Sequence, residues 1–288
     1  MATSVPFDTA VELLIYAFLV LAMFCVGMSA TISDVLAVLR NRSQLYRALA
    51  ANLLAPVIIA LGVIWMFPLE PSVQTMLLIL AFAPGGINAV QFSTKVQGHT
   101  AAAGAMLLLL STVSLVTAPL AAKLLLPGDA KIAIPYLELL FRAIVLVAAP
   151  TAIGMFLKRK NPSLAGKLYA PAMVVSLVCF IASVVLSMAV RKEGLAEFPS
   201  GTGTAFMAFI LALMATGWAL GGPDSSDRQI LAVSTNIRNV GLVYVLVDGC
   251  CGDDLISSAV LGLMSLLILP NLILTVTCNV LRKKNLIS

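Results

Sequence analysis

Apolar residues in this chain do not alternate with polar ones; they run on for about twenty positions, stop at a short polar join and resume. A helix needs about 20 apolar residues to cross a bilayer, and runs of that length recur from one end of the sequence to the other. They predict about nine membrane-spanning helices, at residues 9–28, 46–66, 72–92, 100–126, 132–157, 168–190, 201–220, 227–246 and 255–281. A membrane barrel is not expected, because its strands would show apolar and polar positions in turn. The fold class is therefore all-α and polytopic. The whole of 1–288 reads as one transmembrane domain, with no polar stretch long enough for a separate soluble one.

Composition agrees: 60% of residues are hydrophobic and 11% charged, which excludes a soluble domain that must cover itself with polar side chains. The net charge of +5 is explained by its placement. One side of the predicted bundle collects Arg40, Arg42, Arg47, Lys95, Lys158, Arg159, Lys160, Lys167, Arg228, Arg282, Lys283 and Lys284. The other holds only Lys123, Lys131, Arg191 and Lys192. Lys and Arg accumulate in cytoplasmic loops, so the N-terminus is expected outside and the C-terminus in the cytoplasm. This distribution gives no reason to infer a nucleic-acid partner; membrane lipid is the simpler one. Asp8 and Glu12, rather than a basic region, lead into the first span, so it is expected to be retained and not cleaved as a signal peptide. The compact chain and bare termini suggest a cell membrane, specifically a bacterial inner membrane. Cys25, Cys179 and Cys278 lie in apolar runs and only Cys250 and Cys251 fall in a predicted external loop, so no disulfide framework is implied.

Two spans depart from the pattern. The third is interrupted by Pro84-Gly85-Gly86, where a missing N–H and exposed backbone leave carbonyls without intrahelical partners. The eighth is interrupted by Ser234, Thr235, Asn236, Arg238 and Asn239 inside an otherwise apolar run. Each break is followed by a polar loop, a stretch of small residues and a Leu-rich run ending at Pro119 or Pro270. The two copies are five spans apart, so equivalent helices cross in opposite directions. That is an inverted repeat, here four helices plus five, as found in many secondary transporters. Where two broken helices cross, freed N–H groups can meet an anion and freed carbonyls a cation.

The candidate substrate-binding residues follow: Pro84, Gly85, Gly86, Asn88 and Gln91 at the first break, and Ser234, Thr235, Asn236, Arg238 and Asn239 at the second. The polar ones can equally serve to tie the breaks together. Arg238 is the sharpest of them, because a mid-span guanidinium costs at least about 2.5 kcal/mol to insert and needs a partner. No carboxylate is predicted at the membrane centre; carbonyls of the opposite break, a bound anion, or both remain open to it. Arg142 is better placed to snorkel, and Lys95 and His99 are most simply interfacial. No Walker loop, metal-ligand cluster or nucleophile–base pair suggests an enzyme.

At three places the sequence resembles the bile acid:sodium symporter family. Ala83-Pro84-Gly85-Gly86 is similar to that family's P-G-G break, and Arg238-Asn239-Val240-Gly241-Leu242 to its break in the penultimate helix. The stretch from Val26-Gly27-Met28 to Asp34 resembles its G-M segment. The resemblance implies a panel, residues 9–28, 132–157 and 168–190, and a core of the other six spans containing the crossed helices. It implies alternating-access transport of a small organic anion, often coupled to sodium. Sodium-coupled members follow P-G-G with a Ser-Asn pair, where this chain has Ala89 and Val90. They carry a Glu and then a Gln in the penultimate helix, where Ser234 and Arg238 stand here.

With its sodium ligands altered in this way, the chain is expected to place the Arg238 guanidinium where sodium sits in coupled relatives. No cofactor is expected, and sodium dependence should be weak or absent. The alternatives are a sodium symporter that uses backbone carbonyls, or a channel or binding protein on the same fold. Substrate, transport direction and the choice between monomer and homo-oligomer are not written in the sequence.

Overall fold

The computed structural model describes residues 5–29, 31–84, 100–125, 137–138, 141, 144–190, 201–239, 242–243 and 268–284. Within these the chain is helical apart from joins and caps, and the protein is an all-α, multi-pass membrane protein. Among the described residues four helical stretches are long and apolar enough to cross a bilayer: Thr9–Ser29, Arg42–Met66, Pro162–Leu186 and Thr202–Leu220. Shorter apolar helices are Pro71–Phe82, Gly104–Ser114 and Leu269–Leu281. Parts of the predicted fifth, eighth and ninth spans, with Lys95, His99, Arg142, Cys250 and Cys251, lie outside the described residues.

The first span is α1 (Val5–Ser29). A short helix that the span pattern did not anticipate follows it, α2 (Ile32–Arg40). Thr31 and Asp34 start α2 with a reciprocal capping box. The Asp34 carboxylate takes the Thr31 N–H at 2.8 Å and its hydroxyl at 2.7 Å, which holds it below the ordinary carboxylate range. Asn41 caps α3 (Arg42–Leu49), which runs through a π turn at Ala50–Leu54 into α4 (Ala55–Met66). Pro71 opens α5 (Pro71–Phe82), and α6 (Thr100–Leu125) follows. A second π turn, Ile144–Ala148, leads into α7 (Ala149–Lys160), and then come α8 (Pro162–Val190), α9 (Thr202–Leu220), α10 (Ser225–Asn236) and α11 (Ile268–Lys283).

Two packing groups stand out. α1 lies along α7 and α8. Gly27 and Gly154 bring α1 and α7 so close that a methyl on either would enter the other's backbone, the small-residue contact that lets membrane helices meet. Ser176 donates to the Phe18 carbonyl at 3.2 Å, and the Phe18 and Phe180 rings lie 5.0 Å apart. In the second group α9 lies along α10 and also touches α4, which in turn packs on α5. Gly217 permits this approach, since a methyl there would sit 2.6 Å from Ala232 Cα.

Burial separates the interrupted helices from the rest. Thr75 to Pro84 on α5 and Gln229 to Asn239 on α10 are buried without a gap, as expected of helices enclosed by protein on all sides. α8, by contrast, turns Val174, Val175, Val178, Ile181 and Val185 outward, the face a spanning helix gives to lipid.

Candidate functional site

Both predicted interruptions that fall among the described residues are real ends of helix. α5 stops at Phe82 with Ala83 out of helical geometry, and α10 stops at Asn236 with Ile237 extended. The two ends meet. Pro84 and Arg238 form an isolated antiparallel β-bridge, and the Asn239 N–H donates to the Ala83 carbonyl at 2.8 Å. Two helix C-termini therefore converge, each carrying about half a negative charge on its unpaired carbonyls.

Arg238 answers that charge. Among the described residues it is the largest fully buried side chain, 1% exposed. Its Nε donates to the Leu80 carbonyl at 2.9 Å and its Nη1 to the Thr235 carbonyl at 3.1 Å. Its Nη2 donates to the Ala81 carbonyl and, at 3.4 Å, to the Asn52 carbonyl. Of the open readings for Arg238, carbonyls are the partners the structure displays. Two of them lack the usual helical donor four residues on, for a definite reason. Pro84 has no N–H to return to Leu80, four residues earlier, and Pro56 has none to return to Asn52. Each proline withholds a helical donor from a carbonyl that the guanidinium then reaches, and the Leu80 carbonyl also accepts the Ala83 N–H at 3.3 Å.

Around this clamp several polar side chains are buried without a hydrogen-bond partner: the Thr235 hydroxyl, both amide atoms of Asn236, Asn239 Nδ2 and Asn52 Oδ1. Asn239 Oδ1 is engaged, accepting the Leu242 N–H at 3.1 Å and so capping the helical turn after the break. Ser234 donates back to the Leu231 carbonyl at 3.1 Å and is absorbed by its own helix. Gly85, Gly86, Asn88, Ala89, Val90 and Gln91 lie outside the described residues.

Sequence reasoning missed Asn52 and the π turn that contains it. The signal was available: an amide inside an apolar run, four residues before a proline. No group of three or more His, Cys, Asp or Glu able to hold a metal occurs among the described residues.

Two helix ends that meet inside an all-α membrane bundle are an arrangement found in many secondary transporters. The profile of the Sodium Bile acid symporter family matches residues 16–198 of the 288, and the chain belongs to that family, whose members are membrane transporters. The matched interval includes the first break and ends before α9, so the second break stands on its geometry. The curated proteins give no match.

Proposed function

We propose that this protein is a secondary carrier of a small organic anion, working by alternating access in a cell membrane, with the Arg238 guanidinium in the place of a coupled sodium ion. The observation that carries the reading is the set of main-chain oxygens on Arg238: Leu80, Ala81, Thr235 and Asn52. A hard cation seeks just such carbonyls. The reading with sodium held by backbone oxygens is disfavoured, because these oxygens already accept from a fixed cation and a second positive charge would be repelled.

With most of its donors committed, Arg238 leaves the anion to its neighbours. The Asn236 and Asn239 amides and the Thr235 hydroxyl are buried donors without partners, and an unmet polar group inside a membrane protein is expected to serve a cavity or ligand. The mutual packing of α1, α7 and α8 supports taking them as the panel against which the crossing moves. The lysines and arginines gathered on one side support an outside N-terminus and a cytoplasmic C-terminus.

The test uses purified protein in liposomes. A thermal-shift panel of monocarboxylates and bile acids, with and without sodium, first identifies a stabilising anion. Uptake of that anion is then measured with and without a sodium gradient, together with counterflow. Counterflow with uptake indifferent to sodium is expected. Uptake that rises steeply with the sodium gradient overturns the fixed-cation reading, and flux without counterflow overturns the carrier.

A further inference from the structure

Away from the crossing, the start of α2 and the end of α7 enclose a cavity of about 610 Å³ lined by Thr31, Ile32, Ser33, Met155, Phe156 and Arg159. Its lining is divided by chemistry. Ile32, Met155 and Phe156 supply an apolar wall, whereas Arg159 and Ser33 supply a charge and a hydroxyl. α7 itself changes character here, from Phe156-Leu157 to Lys158-Arg159-Lys160, which marks where the apolar layer gives way to headgroups.

α2 repeats the division. Val38 is buried against the bundle, while Ile32, Leu36 and Leu39, spaced along one helical face, are 54%, 48% and 38% exposed. Arg40 and Arg42 stand at its end. A short helix with an outward apolar face and a basic end lies in a membrane interface. Lys158 is near enough to Asp34 for electrostatic attraction, and that carboxylate already accepts both Thr31 donors. Lys160 Nζ lies 5.8 Å from the centre of the Phe156 ring, leaving Arg159 as the cation that lines the cavity.

We propose that this cavity binds one anionic phospholipid, its acyl chain against Ile32, Met155 and Phe156 and its phosphate on Arg159. Charge complementarity selects the headgroup, and a cavity that straddles the apolar boundary selects a molecule with both parts. The Ser33 hydroxyl, which shares a hydrogen bond of 2.7 Å with Thr31, can turn to a phosphate oxygen. The site lies on a different surface from the crossing and does not depend on what the crossing carries.

The full chain, purified in mixed micelles, is titrated with phosphatidylglycerol or with phosphatidylcholine of the same acyl chains. Thermal midpoint and the lipid retained in native mass spectrometry are read for each. Phosphatidylglycerol is expected to raise the midpoint and to be retained where phosphatidylcholine is not. Arg159→Gln should weaken its apparent affinity about fivefold, the worth of one basic residue at a lipid surface, and Phe156→Ser should weaken it through the chain. Lys283→Gln, an exposed basic residue on α11, should change nothing, and glycerol phosphate should give no shift. The proposal is overturned if Lys283→Gln weakens binding as much as Arg159→Gln, if neither cavity variant alters retention, or if glycerol phosphate reproduces the shift.

Discussion

The two interrupted helices reach the same place by opposite means. α5 is ended by a proline and arrives with carbonyls to spare: Leu80, Ala81 and Ala83 all accept from the other break. α10 is ended by polar residues and arrives with donors: the Arg238 guanidinium and the Asn239 N–H. Either end alone would be untenable in an apolar interior, one as a surplus of acceptors and the other as a bare cation. Together they neutralise each other. Two broken helices in a bundle need not be symmetric; they need to be complementary.

The largest blow to that complementarity is Arg238→Ala. Removing the cation takes a donor from four buried carbonyls and should lower stability by about 3–5 kcal/mol, read by denaturant unfolding in detergent. Any transport that survives should gain cation dependence, and unchanged, sodium-indifferent transport would deny Arg238 a central part. Gly217→Ala attacks the approach rather than the charge. Its methyl would sit 2.7 Å from the Leu231 carbonyl oxygen and 2.9 Å from Thr235 Oγ1, so a loss of about 1–3 kcal/mol is expected from overpacking.

Pro84→Ala is subtler, because it returns to Leu80 an N–H that competes with Arg238. A loss near 1 kcal/mol is expected in the same unfolding assay. Smallest in stability is Asn236→Ala. Its amide has no partner in the folded protein, so removing it should leave unfolding nearly unchanged while anion-dependent thermal stabilisation disappears. A large fall in stability with intact anion binding would make Asn236 a strut instead.

What could be read in advance follows from how each feature is encoded. Continuous apolar runs declare helices in lipid, and Pro84 and Arg238 declare interruptions, because a missing N–H and a charge are properties of single residues. The partners of Arg238 were only bounded, since backbone carbonyls look alike in every residue and their release depends on what stands four positions later. Pro56 is such a case: it reads as a helix-opening proline, and its effect on Asn52 emerges only when the guanidinium is seen there. α2 was passed over because its apolar face is too short to register as a span, and its Thr31–Asp34 capping box is established only by the structure.

On the reading proposed above, the buried guanidinium also fixes what the carrier can achieve energetically. A sodium ion that enters with its cargo leaves on the far side and gives up the free energy of its gradient on the way. A cation that belongs to the polypeptide returns with it every cycle and delivers none. With no other coupled solute, such a protein cannot concentrate an anion against its own electrochemical potential; it equilibrates. Across a membrane that is negative inside, the voltage then favours efflux of a charged substrate.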